Sequence, residues 1–362
     1  MVMEVISIRP NFIKTFNNPN NDYFCIVTNE SLEDKIKITD DSNYIESKII
    51  LYKPNDKFEN LLENVIPENS HVLVISPDVF FQSPDQKHIG NKRKLIAMAC
   101  NSTPTDINAI KHFMEIIENT DPDSQQEFAD RFFGIGEDSD FLNFIDPVNN
   151  TLATFNHLDE SYLWSEQAGH LGYGEQQLAP AGEISVLPLR IQEFDETLRL
   201  DFNGTIALQG VPILHNGTVS FLREDQKRIF DQLIEIKHNP IIATVENGVI
   251  TALSDPTGKC PNALNMLNSM FTVESRYRIL WEIGFGVNTH NKILDGNQAM
   301  NETFGNTDGA IHFGLGLTPY TQYHLDIICP NTVVKNNKNE YLIGKEGKKI
   351  ARNKSIGCPC IE

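Results

Sequence analysis

Gly309-Ala-Ile-His312-Phe-Gly-Leu-Gly316, followed by Tyr323-His324-Leu-Asp326, is the stretch from which the rest of the chain can be read. Two histidines stand twelve positions apart, and a single residue separates the second from an aspartate. Their neighbours are small or apolar, where an unpaired charge is costly. If both runs are strands, alternation with period two sends His324 and Asp326 to the same face. An imidazole and a carboxylate side by side on an apolar strand mark a candidate metal site.

Two acids upstream share that setting. Glu183 lies between Gly182 and an apolar run ending at Pro188, and Glu282 lies in Leu280-Trp-Glu-Ile-Gly-Phe-Gly286. A divalent cation would supply the counter-charge that each buried carboxylate needs. Glu183, Glu282, His312, His324 and Asp326 together give a mixed nitrogen and oxygen shell suited to zinc, iron, manganese or cobalt. His215, in Pro212-Ile-Leu-His-Asn-Gly217, reads as a turn histidine, with a substrate contact as its functional alternative.

Composition bounds the rest. At 362 residues the chain exceeds the size at which one hydrophobic core usually stops growing, so two domains are expected. Thirty basic residues against forty-nine acidic ones give a formal net charge of -19, a field that repels nucleic acid and anionic membrane. No run approaches the apolar length of a membrane span. The N-terminus shows no basic region leading into an apolar core, so no signal peptide is expected. Six scattered cysteines point to reduced thiols and a cytoplasmic location rather than a disulfide framework.

Residues 1–160 read as an α/β domain with a mainly parallel sheet. Apolar runs at 24–27, 49–51, 72–75 and 95–98 have strand length, and 58–65 and 105–117 have helical spacing, the second opened by a Thr105-Asp106 cap. The acidic stretch 118–146 reads as a surface connection; its Gly134-Ile-Gly136 lacks the preceding strand and third glycine of a dinucleotide fingerprint. Residues 161–180 read as a linker or lid. From 181 to 350 a C-terminal α+β metal-binding domain is expected, with strands at 182–188, 204–208, 219–222, 241–245 and 249–253. The last two are joined by the hairpin turn Asn247-Gly248, and helices are expected over 224–236 and 262–282. Residues 351–362 form a tail that carries Cys358-Pro-Cys360. Its thiols are either incidental or a metal-binding or modified pair.

The ordered blocks Gly-Glu before an apolar strand, Asn-Gly-Thr-Ile, Glu-Ile-Gly-Phe-Gly-Val-Asn, Asp-Gly-Ala-Ile-His-Phe-Gly-Leu-Gly and His-Leu-Asp resemble the thermophilic aminopeptidases of the aminopeptidase T type. They also resemble a relative of that family, 2,5-dihydroxypyridine 5,6-dioxygenase. The resemblance covers residues 175–350 and implies a two-metal site bound by two glutamates, two histidines, an aspartate and a tyrosine. Glu183, Glu282, His312, His324 and Asp326 fall on matching positions. The tyrosine is Tyr320 or Tyr323, and Glu183 joins them as a catalytic candidate. A homodimer is also implied.

Two mechanisms follow. A metal-dependent aminopeptidase would use two zinc, cobalt or manganese ions to activate water on a peptide. A non-haem oxygenase would use a single Fe(II) held by two histidines and a carboxylate, with a small-molecule substrate. A third possibility is a non-catalytic binding protein that kept the fold. Retention of both glutamates favours the hydrolase, because one iron does not need five ligands.

Overall fold

The computed structural model describes residues 4–79, 81–100, 105–178, 182–188, 198–216, 222–316 and 320–345. The Cys358-Pro-Cys360 motif and most of the expected 219–222 strand lie outside them.

The N-terminal runs form one five-stranded sheet in the order Gln176–Gln177, Arg93–Ala97, Ser70–Ile75, Tyr23–Thr28, Ser47–Leu51, with every pairing parallel. Successive side chains feed two cores, as expected of a parallel sheet covered on both faces. Phe24, Ile26, Leu73, Ile75 and Ile96 enter one, while Cys25, Val27, Val72, Val74 and Leu95 enter the other. Helix Ile107–Asn119 closes the first with Ile110, Phe113 and Ile117, and its first turn is capped by the Asp106 carboxylate, which accepts from Ala109 N at 2.8 Å.

The C-terminal half is a sandwich of two antiparallel sheets. One has seven strands in the order Val249–Ser254, Ile241–Glu246, Phe202–Leu208, Thr151–Phe155, Leu142–Asp146, Val333–Asn336, Tyr341–Ile343. The other has six: β1 (Tyr162–Gln167), β2 (Glu183–Pro188), β3 (Val211–Asn216), β4 (Leu280–Gly286), β5 (Ala310–Leu315) and β6 (Tyr323–Cys329), in the order β3-β6-β5-β4-β2-β1. Aromatic rings join the sheets, with the Phe144 centroid 6.2 Å from Phe285 and 6.1 Å from Phe313, and Phe202 5.9 Å from Phe313. The hairpin at Asn247-Gly248 forms as expected, both residues taking positive φ (47° and 70°).

Three expectations are corrected. Residues 122–137, expected within a surface connection, are the helix Pro122–Glu137, whose Ala129 and Phe132 enter the sandwich core. Polar residues on its outer face hid the apolar stripe. Strands Leu142–Asp146, Thr151–Phe155 and β1 belong to the C-terminal sheets, so the sheets change near residue 140 rather than 160. The helix expected over 262–282 stops at Val273, because the Glu274 carboxylate accepts from Arg276 N and turns the chain; Glu282 therefore sits on a strand. All four described cysteines, Cys25, Cys100, Cys260 and Cys329, are buried and unpaired, and no described helix is long and apolar enough to cross a membrane.

One buried polar cluster lies against the parallel sheet. His71 stacks on Phe16 at 4.8 Å, with its Nδ1 2.9 Å from the Tyr44 hydroxyl and its Nε2 3.8 Å from Asp22, near Lys94 and Tyr173. Burial lowers its pKa to about 4 from 6.5, against the pull of Asp22. The unfolded imidazole protonates first, so stability should fall as pH drops from about 6.5 through about 4. Urea unfolding across that window checks this, and His71→Gln should flatten the profile.

Candidate metal centre

The opposite faces of the six-stranded sheet have opposite chemistry, and residue alternation decides which side chain goes where. Ile184, Val186, Leu214, Ile283, Phe285, Ile311, Phe313, Leu315, Leu325 and Ile327 point into the sandwich core. The residues between them point the other way. In register, His215 of β3 lies opposite His324 of β6, Asp326 opposite Gly314 of β5, Gly314 opposite Glu282 of β4, and His312 opposite Gly284. Glu183 of β2 faces Gly286. Every candidate ligand named from the sequence therefore occupies one face.

They also meet. His312 Nε2 lies 3.2 Å from Glu183, and His324 Nε2 lies 3.4 Å from Glu282 and 3.1 Å from Asp326. Potential ligand atoms fall into groups mutually within 4.8 Å: Glu183, Glu282 and His312 form one, and Glu282, His324 and Asp326 another. A third group, His215, Glu302 and Asp326, completes the array. His215 Nε2 is 3.2 Å from Asp326 and in ion contact with Glu302.

Glycines make the room. A Cβ on Gly284 would come 1.9 Å from His312 Nε2, and one on Gly314 would meet Glu282 at 2.8 Å and Asp326 and His324 at 3.0 Å. The glycine-rich text of β4 and β5 is thus the space that the imidazoles and carboxylates occupy. His324 Nδ1 is engaged by the Gly316 carbonyl, which leaves Nε2 toward the acids, the orientation that metal-binding histidines use.

Charge balance favours a cation. Burial pushes the Glu183 carboxyl up to about 7, despite the hydrogen bond from His312. Burial acts to lower the histidine pKa values, but the surrounding acids outweigh it. His312 is raised to about 9 by Glu183 and Asp326, His215 to about 10 by Glu302 and Asp326, and His324 well above its ordinary value by Asp326 and Glu282. For Asp326, burial is outweighed by His324 and His215, which hold it well below the usual carboxylate range. Asp326 Oδ1 is buried without a hydrogen-bond partner. The donor set, the glycine cradle and this orphaned oxygen all fit a divalent metal.

Two residues differ from the sequence reading. His215 is on a strand, not a turn, and alternation from Ile213 would have placed it beside the site. Glu302 was missed altogether. It lies in the short turn Ala299–Thr303, in a polar segment without periodicity, and is held there by buried asparagines. Asn291 donates to Met300 O and Thr303 Oγ1 at 2.8 and 2.7 Å, and Asn301 bonds both backbone groups of Leu294.

The tyrosines separate as well. Tyr323 is corrected: alternation turns it away from His324 into the core, where its hydroxyl donates to Leu222 O and Asp225 at 3.2 and 3.1 Å. Burial raises its pKa to about 12. Tyr320 lies against Arg276, whose guanidinium is 5.9 Å from the ring centroid.

No family model matches the sequence, and no curated protein does. Among solved structures, the chain is similar to 2,5-dihydroxypyridine dioxygenase from Pseudomonas putida KT2440, at 12% identity and a TM-score of 0.55, covering 93% of this chain and 96% of that one. It is also similar to AmpT from Thermus thermophilus, at 13% identity and a TM-score of 0.43, covering 92% and 96%. At this identity the first likeness establishes a shared fold.

Gly284→Ala tests the cradle. The added methyl should displace His312 and weaken cobalt binding by about tenfold or more, while the opposite, apolar face stays packed. Equilibrium dialysis against Co²⁺, with circular dichroism as the folding control, reads both.

Proposed function

We propose that the chain is a metal-dependent hydrolase, acting as an aminopeptidase on a peptide substrate. The observation that supports this reading is the pair of three-ligand groups that share Glu282: Glu183, Glu282 and His312 beside Glu282, His324 and Asp326. A shared carboxylate between two ligand groups is what a paired-cation site needs, and one ion would leave several of these buried acids uncompensated.

Such cations, when bound, lower the pKa of water and polarise a carbonyl or hold a free amine. The chain's own residues supply the rest. Glu183, at the edge of the array on β2, would be the carboxylate that takes a proton from the attacking water and returns it to the leaving amine. Tyr320, the candidate tyrosine left once Tyr323 turns into the core, would contact the substrate. Two such chains would form the homodimer that the sequence resemblance implies.

An Fe(II) oxygenase is the second reading, favoured by one observation. Asp326 Oδ2 stands 3.2 Å from His215 Nε2 and 3.1 Å from His324 Nε2, two imidazoles about one carboxylate.

Metal counting decides. The hydrolase reading expects at least two zinc, cobalt or manganese ions per chain and release of N-terminal residues from unblocked peptides. His324→Ala and Asp326→Ala should each lose metal and cut kcat/KM by about a thousandfold or more, roughly 4 kcal/mol of transition-state stabilisation. A single iron with substrate-dependent oxygen uptake would establish the oxygenase instead.

A further inference from the structure

The group His215, Glu302 and Asp326 is not in the ligand set implied by the sequence blocks, and it is built from different elements. His215 comes from β3 at the sheet edge, Asp326 from β6, and Glu302 from the turn Ala299–Thr303, which crosses the polar face. Gly286 permits the crossing, since a Cβ there would lie 2.5 Å from the Glu302 carbonyl.

Three observations separate this group from an ordinary salt bridge. Its three ligand atoms lie mutually within 4.8 Å, the same convergence as the two groups already described. Asp326 is 1% exposed, and its Oδ2 is turned toward both His215 and His324, while its Oδ1, on the Gly314 side, has no hydrogen-bond partner. His215 Nε2 is approached by both carboxylates yet is also buried without a well-formed hydrogen bond. The atoms that pair as ions here, one imidazole and two carboxylates, are also the donor set that a divalent cation takes.

The geometry is also pinned from outside the group. Among the described residues β3 is an edge strand, so Leu214 has no neighbouring strand on its free side. The Asn297 side chain takes that place: Leu214 N donates to Asn297 Oδ1 at 2.7 Å, and Asn297 Nδ2 donates to Leu214 O at 2.8 Å. Gln226 donates to the same carbonyl at 2.7 Å. Asn297 thereby locks the residue next to His215 to the segment that carries Glu302.

We infer that His215, Glu302 and Asp326 hold a further divalent cation, of the borderline class that accepts imidazole and carboxylate together: zinc, manganese, cobalt or iron(II). It shares Asp326 with the neighbouring position, as Glu282 is shared between the other two. The inference concerns binding and does not require the hydrolase reading.

The test titrates the chelator-stripped full-length chain with Co²⁺ alone, counting bound ions by equilibrium dialysis and following the visible spectrum. The wild type should bind three ions. Glu302→Gln and His215→Gln should each bind one fewer, or bind the last ion at least tenfold more weakly, while Glu183→Gln leaves that position filled. Circular dichroism melts show whether each variant folds, and either glutamine variant suffices if the other does not. Two ions in the wild type, unchanged in Glu302→Gln, would overturn the inference and leave the two-ion reading intact. One ion in the wild type that Glu302→Gln abolishes and Glu183→Gln retains would support it while overturning that reading. One ion retained in Glu302→Gln, or no ion at all, would overturn it.

Discussion

Period-two alternation across the six-stranded antiparallel sheet is the constraint from which the rest follows. Each strand sends one set of side chains into the sandwich core and the other set to the opposite face. The core set is nearly all Ile, Leu, Val and Phe, and each such residue contributes about 1.5–3 kcal/mol when fully buried. That burial fixes the register, because a slip of one residue would turn every apolar side chain outward and every carboxylate inward. The same register sets His324 across from His215, and Asp326 across from Gly314. Packing energy on one face thus holds the polar geometry on the other.

Buried charge sets the second constraint. Glu183, His312 and Asp326 are buried and Glu282, Glu302, His215 and His324 partly so, and removing an ion from solvent costs several kcal/mol. In the metal-free chain, protons on the histidines supply the balance, which is why those imidazoles titrate high. A protein selected only for stability would replace such an array with apolar residues. With glycines keeping the space beside it open, the array has the donor set that could hold a cation.

Among the described residues, the segment between β4 and β5 links the core of the parallel sheet to this site. Between β4 and β5, Leu294 and Met300 pack into the core of the parallel sheet, and Asn288 donates to Thr120 Oγ1 at 2.9 Å. His112 of the long N-terminal helix lies 3.0 Å from Asn291 Oδ1. Glu302 is thus carried by a stretch anchored on one domain while its carboxylate meets ligands of the other. The same segment thus touches both the parallel-sheet core and the candidate site.

What the sequence determined by itself is what depends on spacing along a strand. His324-Leu-Asp326, the apolar run after Glu183 and the glycine-rich texts of β4 and β5 each declare a face, so the parallel sheet, the Asn247-Gly248 hairpin and the shared face of His324 and Asp326 were legible. Where polar residues diluted the pattern, in helix Pro122–Glu137 and in the strands just beyond residue 140, it was not. The tertiary structure alone decided what depends on pairing between distant strands. His215 enters the site because β3 pairs with β6, Tyr323 leaves it because its neighbour His324 enters, and Glu302 arrives on a turn held by asparagine side chains. No local period records those contacts, since they arise from hydrogen bonds between segments that folding brings together.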